Sequence, residues 1–321
     1  MILEIVLLLV GLALIVFGAD WLVDGASAVA RKLGISEFVI GLTIVGFGTS
    51  CPELVVSLTG AIAHNADISV GNVIGSNIFN CLLILGVTAL VMPINITTAN
   101  KHRDIPITLL VTFLLIAFGA GMRLVGQSAT DGISRIEGAV FLVLFAAYMF
   151  MCFKFDSGAE DSDEEDGRKI QNIWLAILLV IAGLAGLIFG GKLFVNSATE
   201  IAKMIGVSDK FIAITILAGG TSLPELATCV VAALKKKGQL ALGNILGSCV
   251  FNILLILGCS AVITPLSFDG IDIVDIIALM LSAILVWTST YSFKKNEIDR
   301  YEGAIFLACF IAYYIYLFMK L

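Results

Sequence analysis

The chain contains most of itself twice. With Gly48 set against Gly220, residues 11–93 align with 183–265 without a gap, and 33 of the 83 positions are identical. The matches include Gly11 with Gly183, Phe17 with Phe189, Ser36 with Ser208 and Pro93 with Pro265. Further on the register changes slightly, and Arg135-Ile136-Glu137-Gly138 answers to Arg300-Tyr301-Glu302-Gly303. Each copy holds five apolar runs of the length, about 20 residues, that an α-helix needs to cross a bilayer. Five is odd, so the second copy must cross in the opposite sense. Parity alone therefore predicts an inverted-topology repeat of the kind found in secondary transporters.

The expected fold is all-α and integral to the membrane, with ten transmembrane helices near 2–24, 37–63, 69–92, 105–124, 134–155, 173–195, 208–234, 240–264, 273–293 and 300–319. Residues 1–155 form the first five-helix repeat, 156–172 an acidic linker and 173–321 the second repeat. Composition agrees: 59% of residues are hydrophobic, 14% are charged and the mean hydropathy is +1.05. A soluble domain carries nearer a quarter charged residues. The runs do not alternate as barrel strands would. The first run lacks a basic segment before it and has a mid-chain counterpart that could not be cleaved, so it reads as a retained span rather than a signal.

Net charge is −6, with seven carboxylates between Asp156 and Asp166, which gives no nucleic-acid signature. That stretch has no EF-hand spacing and reads as a solvated linker. The seven cysteines lie in or at the edge of apolar runs without a CxxC pair, as small buried hydrophobes do. His64 and His102 fall in expected loops, away from the repeated motifs, which argues against a histidine metal site. Lys and Arg near the span ends favour the side opposite the N-terminus by thirteen to five, placing both termini outside and the acidic linker in the cytoplasm.

The polar content of the apolar runs is concentrated in two duplicated motifs. Gly48-Thr49-Ser50-Cys51-Pro52-Glu53 recurs as Gly220-Thr221-Ser222-Leu223-Pro224-Glu225. A carboxylate at the bilayer centre costs about 2.5–3.5 kcal/mol on insertion scales, so finding it twice at one offset points to a two-part site. Each proline removes a backbone donor and should break its helix, freeing carbonyls that can ligate a cation. The second motif, Gly71-Asn72-Val73-Ile74-Gly75-Ser76 through Asn80, recurs as Gly243-Asn244-Ile245-Leu246-Gly247-Ser248 through Asn252. Ser76 and Asn80, like Ser248 and Asn252, share a helix face. The donors are hard oxygens, which suit Na⁺ or Ca²⁺ rather than zinc or copper.

With these motifs the chain resembles the cation/Ca²⁺ exchanger superfamily, and within it the prokaryotic Na⁺/Ca²⁺ exchangers. The α-repeats of that family read G-[TS]-S-x-P-[ED] followed by G-[SN]-x-x-G-S-x-x-x-[ND]. The resemblance implies broken helices 2, 3, 7 and 8 around a midplane site, with long first and sixth helices sliding across them. It implies that Glu53 and Glu225 ligate both ions and that Thr49 and Thr221 add backbone oxygens for Ca²⁺. Ser50, Ser76, Ser222 and Ser248, with the Gly46 and Ala218 carbonyls, would complete flanking Na⁺ sites, and Asn80 and Asn252 would face the centre. Many relatives carry Asp where this chain has Asn252, which argues against K⁺ co-transport.

The expected activity is thus electrogenic, K⁺-independent antiport of Na⁺ against Ca²⁺ by alternating access, with no prosthetic group and a monomer as working unit. Its rivals are an H⁺/Ca²⁺ or other cation exchanger, for which the Ser and Asn cages are superfluous, and a cation channel, which would use carboxylate rings about an oligomeric axis. An enzyme is not expected, since no nucleophile with a base or metal lies at depth. Asp20 and its counterpart Lys192 read as span-end residues, snorkelling or ion-paired. Glu137 and Glu302 read as interfacial salt bridges, and Trp21, Trp174 and Trp287 as interface anchors.

Overall fold

The computed structural model describes residues 1–63, 66–124, 132–155, 170–206, 218–268, 270–292, 294 and 296–320. The acidic linker, Ser208 and His64 lie outside the described residues. The main helices are α1 (Ile2–Leu33), α2 (Glu37–Thr49), α3 (Cys51–Ile62), α4 (Ile68–Val91), α5 (Asn100–Gly121) and α6 (Arg135–Lys154). They continue as α7 (Ile173–Met204), α8 (Leu223–Leu234), α9 (Gly238–Ile263), α10 (Ile273–Ser289) and α11 (Arg300–Lys320). Seven of them are long and apolar enough to cross a membrane, and α2 with α3, bent by 49°, makes an eighth span. α8 and α10 are apolar but shorter. The chain is a multi-pass membrane protein.

Burial sorts these helices into two shells. Over their most apolar stretches α4 and α9 are 78% and 83% buried, whereas α11 is only 17% buried and α1 22%. Large apolar side chains such as Phe17, Ile136, Val143, Leu178, Phe189 and Met319 are exposed on the outer helices. In water such a surface would aggregate; in lipid it is the normal exterior.

α1 and α7 are each 32 residues long, well beyond the runs expected from hydropathy. The excess in α1 is the stretch after Asp24, buried over residues 25–30, and the helix ends at Gly34 with φ 68°. The two helices are antiparallel and touch backbone to backbone: a Cβ on Gly11, Gly18 or Gly25 would stand 2.7 Å from Phe194 N, 2.8 Å from Leu187 N and 2.7 Å from Ala176 O, respectively. The contact thus climbs one helix as it descends the other.

Four two-residue strands tie the copies together. β1 (Ile94–Asn95) pairs antiparallel with β4 (Glu297–Ile298), and β2 (Gly132–Ile133) pairs with β3 (Leu266–Ser267). In the repeat alignment β1 corresponds to β3 and β2 to β4, so each copy's first strand takes the other copy's second. Arg135 donates to the Ile263 carbonyl and Arg300 to that of Leu90, repeating the exchange at the adjoining helix ends.

Three expectations are corrected here. α4 and α9 are continuous rather than broken; neither contains a proline, and each instead widens to a π-helix, at Phe79–Ile84 and Phe251–Leu257. Glu137 and Glu302 act as helix caps rather than ion-pair partners. Ser134 accepts from Glu137 N while Glu137 Oε2 accepts from Ser134 N at 2.7 Å, and Glu302 Oε2 likewise accepts from Asp299 N at 2.7 Å. His102 lies in the first helical turn of α5, not in a loop. Because the Ser134–Glu137 box satisfies donors that α6 leaves open, Ser134→Ala should lower stability by about 1 kcal/mol. Thermal unfolding in detergent, with Ser134→Thr as the tolerated control, measures this.

Candidate cation site

Both proline motifs break their helices at the same residue. Ser50 (φ −83°, ψ 7°) separates α2 from α3, and Ser222 (φ −90°, ψ 7°) separates the helical turn Ala218–Gly220 from α8. Each proline then sits in the first turn of the new helix, where its missing N–H removes no bond. Glu53 and Glu225 follow in those same turns, and both are 1% exposed. The positive helix ends favour carboxylates there.

The two halves complete each other. Ser50 Oγ donates to Glu225 Oε1 at 3.0 Å, and Ser222 Oγ donates to Glu53 Oε1 at 3.1 Å. Each carboxylate thereby spends one oxygen on the other copy's serine. The second oxygens, Glu53 Oε2 and Glu225 Oε2, are buried without a hydrogen-bond partner, as are Asn80 Oδ1, Asn252 Oδ1, Ser248 Oγ and Thr221 Oγ1. A buried polar atom left unpaired costs about 1–3 kcal/mol. Carboxylate and amide oxygens with spare lone pairs are what a hard cation requires.

Of the rest of the expected set, Thr49, Gly46 and Ser50 lie together at the end of α2. Thr49 Oγ1 lies 3.1 Å from Asn244 Oδ1 and 3.4 Å from the Gly46 carbonyl, and that carbonyl also accepts from Ser50 N at 3.1 Å. The Gly46 oxygen therefore accepts two bonds within its own helix, of which a bound Na⁺ would have to displace one. Ser76 is buried on α4 beside Asn80, and Ala218 opens its helical turn. The π-helical segments contain Asn80 and Asn252, where the extra residue per turn disturbs the carbonyl ladder.

A supporting layer went unread in the sequence. Asn72 Nδ2 donates to the Glu53 carbonyl at 3.2 Å and to Ser57 Oγ at 3.0 Å, clamping the first turn of α3. In the second copy Asn244 Nδ2 meets Cys229 Sγ at 3.2 Å, and Cys229 is the repeat equivalent of Ser57. One cysteine thus serves as a polar acceptor rather than a plain hydrophobe. Asn77 breaks the symmetry: it accepts from Asn252 Nδ2 at 3.1 Å and donates to the Cys249 carbonyl at 3.3 Å, orienting Asn252. The duplicated asparagines inside both G-N-x-x-G-S motifs were the available signal.

A cavity of ≈ 660 Å³ lies between the motif loops and α7, lined by Cys51, Pro52, Asn72, Thr221, Pro224 and Lys192 among others but by neither carboxylate. Beyond the site, α1 is tied to the far end of α8, where Lys235 Nζ bridges Asp20 and Asp24 at 2.6 Å each. Asp20 is thus ion-paired, while Lys192 lies within the long α7 rather than at its end.

Fold and site together define a polytopic membrane protein whose two homologous halves build one carboxylate-centred oxygen cage. The model of the family described as sodium/calcium exchanger protein matches residues 3–154 and 175–319. The chain belongs to that sodium/calcium exchanger family. It is 40% identical to the putative antiporter CaxA of Alkalimonas amylolytica over 99% of both chains. It is 33% identical to the sodium/calcium exchanger MaX1 of Methanosarcina acetivorans over 97% of both. Among solved structures, the sodium-calcium exchanger NCX_Mj matches with a TM-score of 0.83 and 33% identity, covering 97% of each chain.

Proposed function

We propose that the protein is a secondary antiporter that exchanges Na⁺ for Ca²⁺ by alternating access. The observation that carries this is the pair of buried carboxylates, cross-bonded by Ser50 and Ser222, each with one oxygen left over. Together the ionised pair brings −2. One Ca²⁺ neutralises it, and Na⁺ ions in neighbouring Ser and Asn cages can replace that Ca²⁺; the two loads compete for the same oxygens. The empty site is an uncompensated buried charge and resists sliding past apolar helices, so loaded forms move preferentially. Coupling follows from that preference.

In this reading Glu53, Glu225, Thr49 and Thr221 hold Ca²⁺, and Ser50, Ser222, Ser76 and Ser248 hold Na⁺ with backbone help from Ala218 and Gly46. Asn80 and Asn252 face the centre as neutral donors. The ten spans form two inverted repeats, a reading supported by antiparallel α1 and α7 and by the exchanged strands. Both termini lie outside, the acidic linker is cytoplasmic, and the monomer is the working unit.

The test is Ca²⁺ uptake into proteoliposomes loaded with Na⁺ and diluted into Na⁺-free buffer. Uptake should need the Na⁺ gradient and, being electrogenic, should quicken when the interior is made positive. A dependence on a pH gradient instead would favour H⁺/Ca²⁺ exchange. With Asn at both 80 and 252 there is no third carboxylate to hold an extra cation. Replacing K⁺ by choline on both sides, at clamped potential, should therefore leave the rate unchanged; a K⁺ requirement would overturn this part.

A further inference from the structure

Lys192 is the one ionised side chain among the described residues that line the cavity reaching the motif loops. Its repeat equivalent, Asp20, is ion-paired with Lys235. Lys192 has no such partner among the described residues, and it is exposed to the cavity space. A charge of the same sign as the transported ions thus stands on the wall of a cavity that reaches the motif loops, at the position where the other copy carries an acid.

We propose that Lys192 is a selectivity residue that penalises each Ca²⁺ at the cavity-facing site more heavily than each Na⁺. The proposal rests on the exchange reading above and adds to it a rule of valence. A fixed positive potential lowers the local activity of an ion by a Boltzmann factor whose exponent is proportional to the ion's charge. Whatever factor Lys192 imposes on Na⁺, it imposes the square of that factor on Ca²⁺. For a unit charge about 10 Å away at an effective dielectric constant of about 40–80, Coulomb's law gives about two- to fourfold for Na⁺, and hence about four- to sixteenfold for Ca²⁺. On this face each Ca²⁺ is therefore disfavoured more strongly than each Na⁺.

The experiment is equilibrium titration of the purified protein with Ca²⁺ alone and with Na⁺ alone, in low-ionic-strength choline buffer. Lys192→Gln should tighten half-saturation by Ca²⁺ about four- to sixteenfold and by Na⁺ only by the square root of that. Lys192→Arg should restore both parent values, and Lys192→Glu should roughly square each gain. Raising choline chloride to about 1 M, where the Debye length falls to about 3 Å, should erase most of the differences. Equal shifts for the two ions, or a Lys192→Arg variant that behaves like Lys192→Gln, would show a packing role and overturn the proposal. A parent protein that binds neither ion would instead remove the exchange reading itself, and this inference with it.

Discussion

Glu53→Gln and Glu225→Gln should each abolish Na⁺-driven Ca²⁺ uptake, lowering it by about a hundredfold or more. Removing one partner from a buried charge contact costs about 3–5 kcal/mol, and here the partner is the ion. The amide keeps the side chain's shape and one carbonyl oxygen, so the bond from Ser222 to position 53, or from Ser50 to position 225, can persist. Folding should therefore survive, and thermal unfolding without ions should match the parent or exceed it, because the repulsion between two buried carboxylates is gone. Both variants should also lose the stabilisation that Ca²⁺ confers on the parent, since a ligand stabilises only a protein that binds it. Exchange at the parent rate in either variant would place the site elsewhere.

Gly243→Ala should be the most damaging single methyl group in the core. A Cβ there would stand 2.2 Å from the Phe38 carbonyl oxygen and 2.8 Å from Leu42 N, both backbone atoms of α2 that have nowhere to retreat. Overpacking usually costs about 1–3 kcal/mol, and contact with rigid backbone belongs at or above the top of that range. The damage should extend to the ions, because the next residue, Asn244, is 3.1 Å from Thr49 at the end of α2. Gly191→Ala is the control. Its nearest contact would be Pro224 Cγ at 3.9 Å, so it should be tolerated. Comparable thermal stability of the two variants in detergent would contradict the packing described for α2 against α9.

The duplication, the buried glutamates and the helix breaks just before Pro52 and Pro224 were legible because each is written in local residue types. The crossed bonds, Ser50 to Glu225 and Ser222 to Glu53, were not, since they join atoms some 170 positions apart and depend on how the copies embrace. The family resemblance implied breaks in α4 and α9, but neither helix holds a proline to compel one. Close packing kept the helices whole and put the irregularity into π-turns at Asn80 and Asn252. An Arg two residues before a Glu looked like a surface ion pair, and the backbone's unpaired N–H groups claimed the carboxylate first. Lys192 was visible as an oddity, but its meaning depends on a cavity that no linear pattern announces.

The exchanged strands bear on how the molecule comes into being. A chain leaving the ribosome completes β1 near Asn95 and β2 near Ile133, yet their partners are Glu297–Ile298 and Leu266–Ser267, made long afterwards. The first half must therefore wait in the bilayer with open strand edges, lone arginines and glycine faces shaped for helices not yet synthesised. Two halves that match in sequence are, in assembly, not two domains. Each is the mould for the other, and the interval between their syntheses is when the protein is most exposed to quality control.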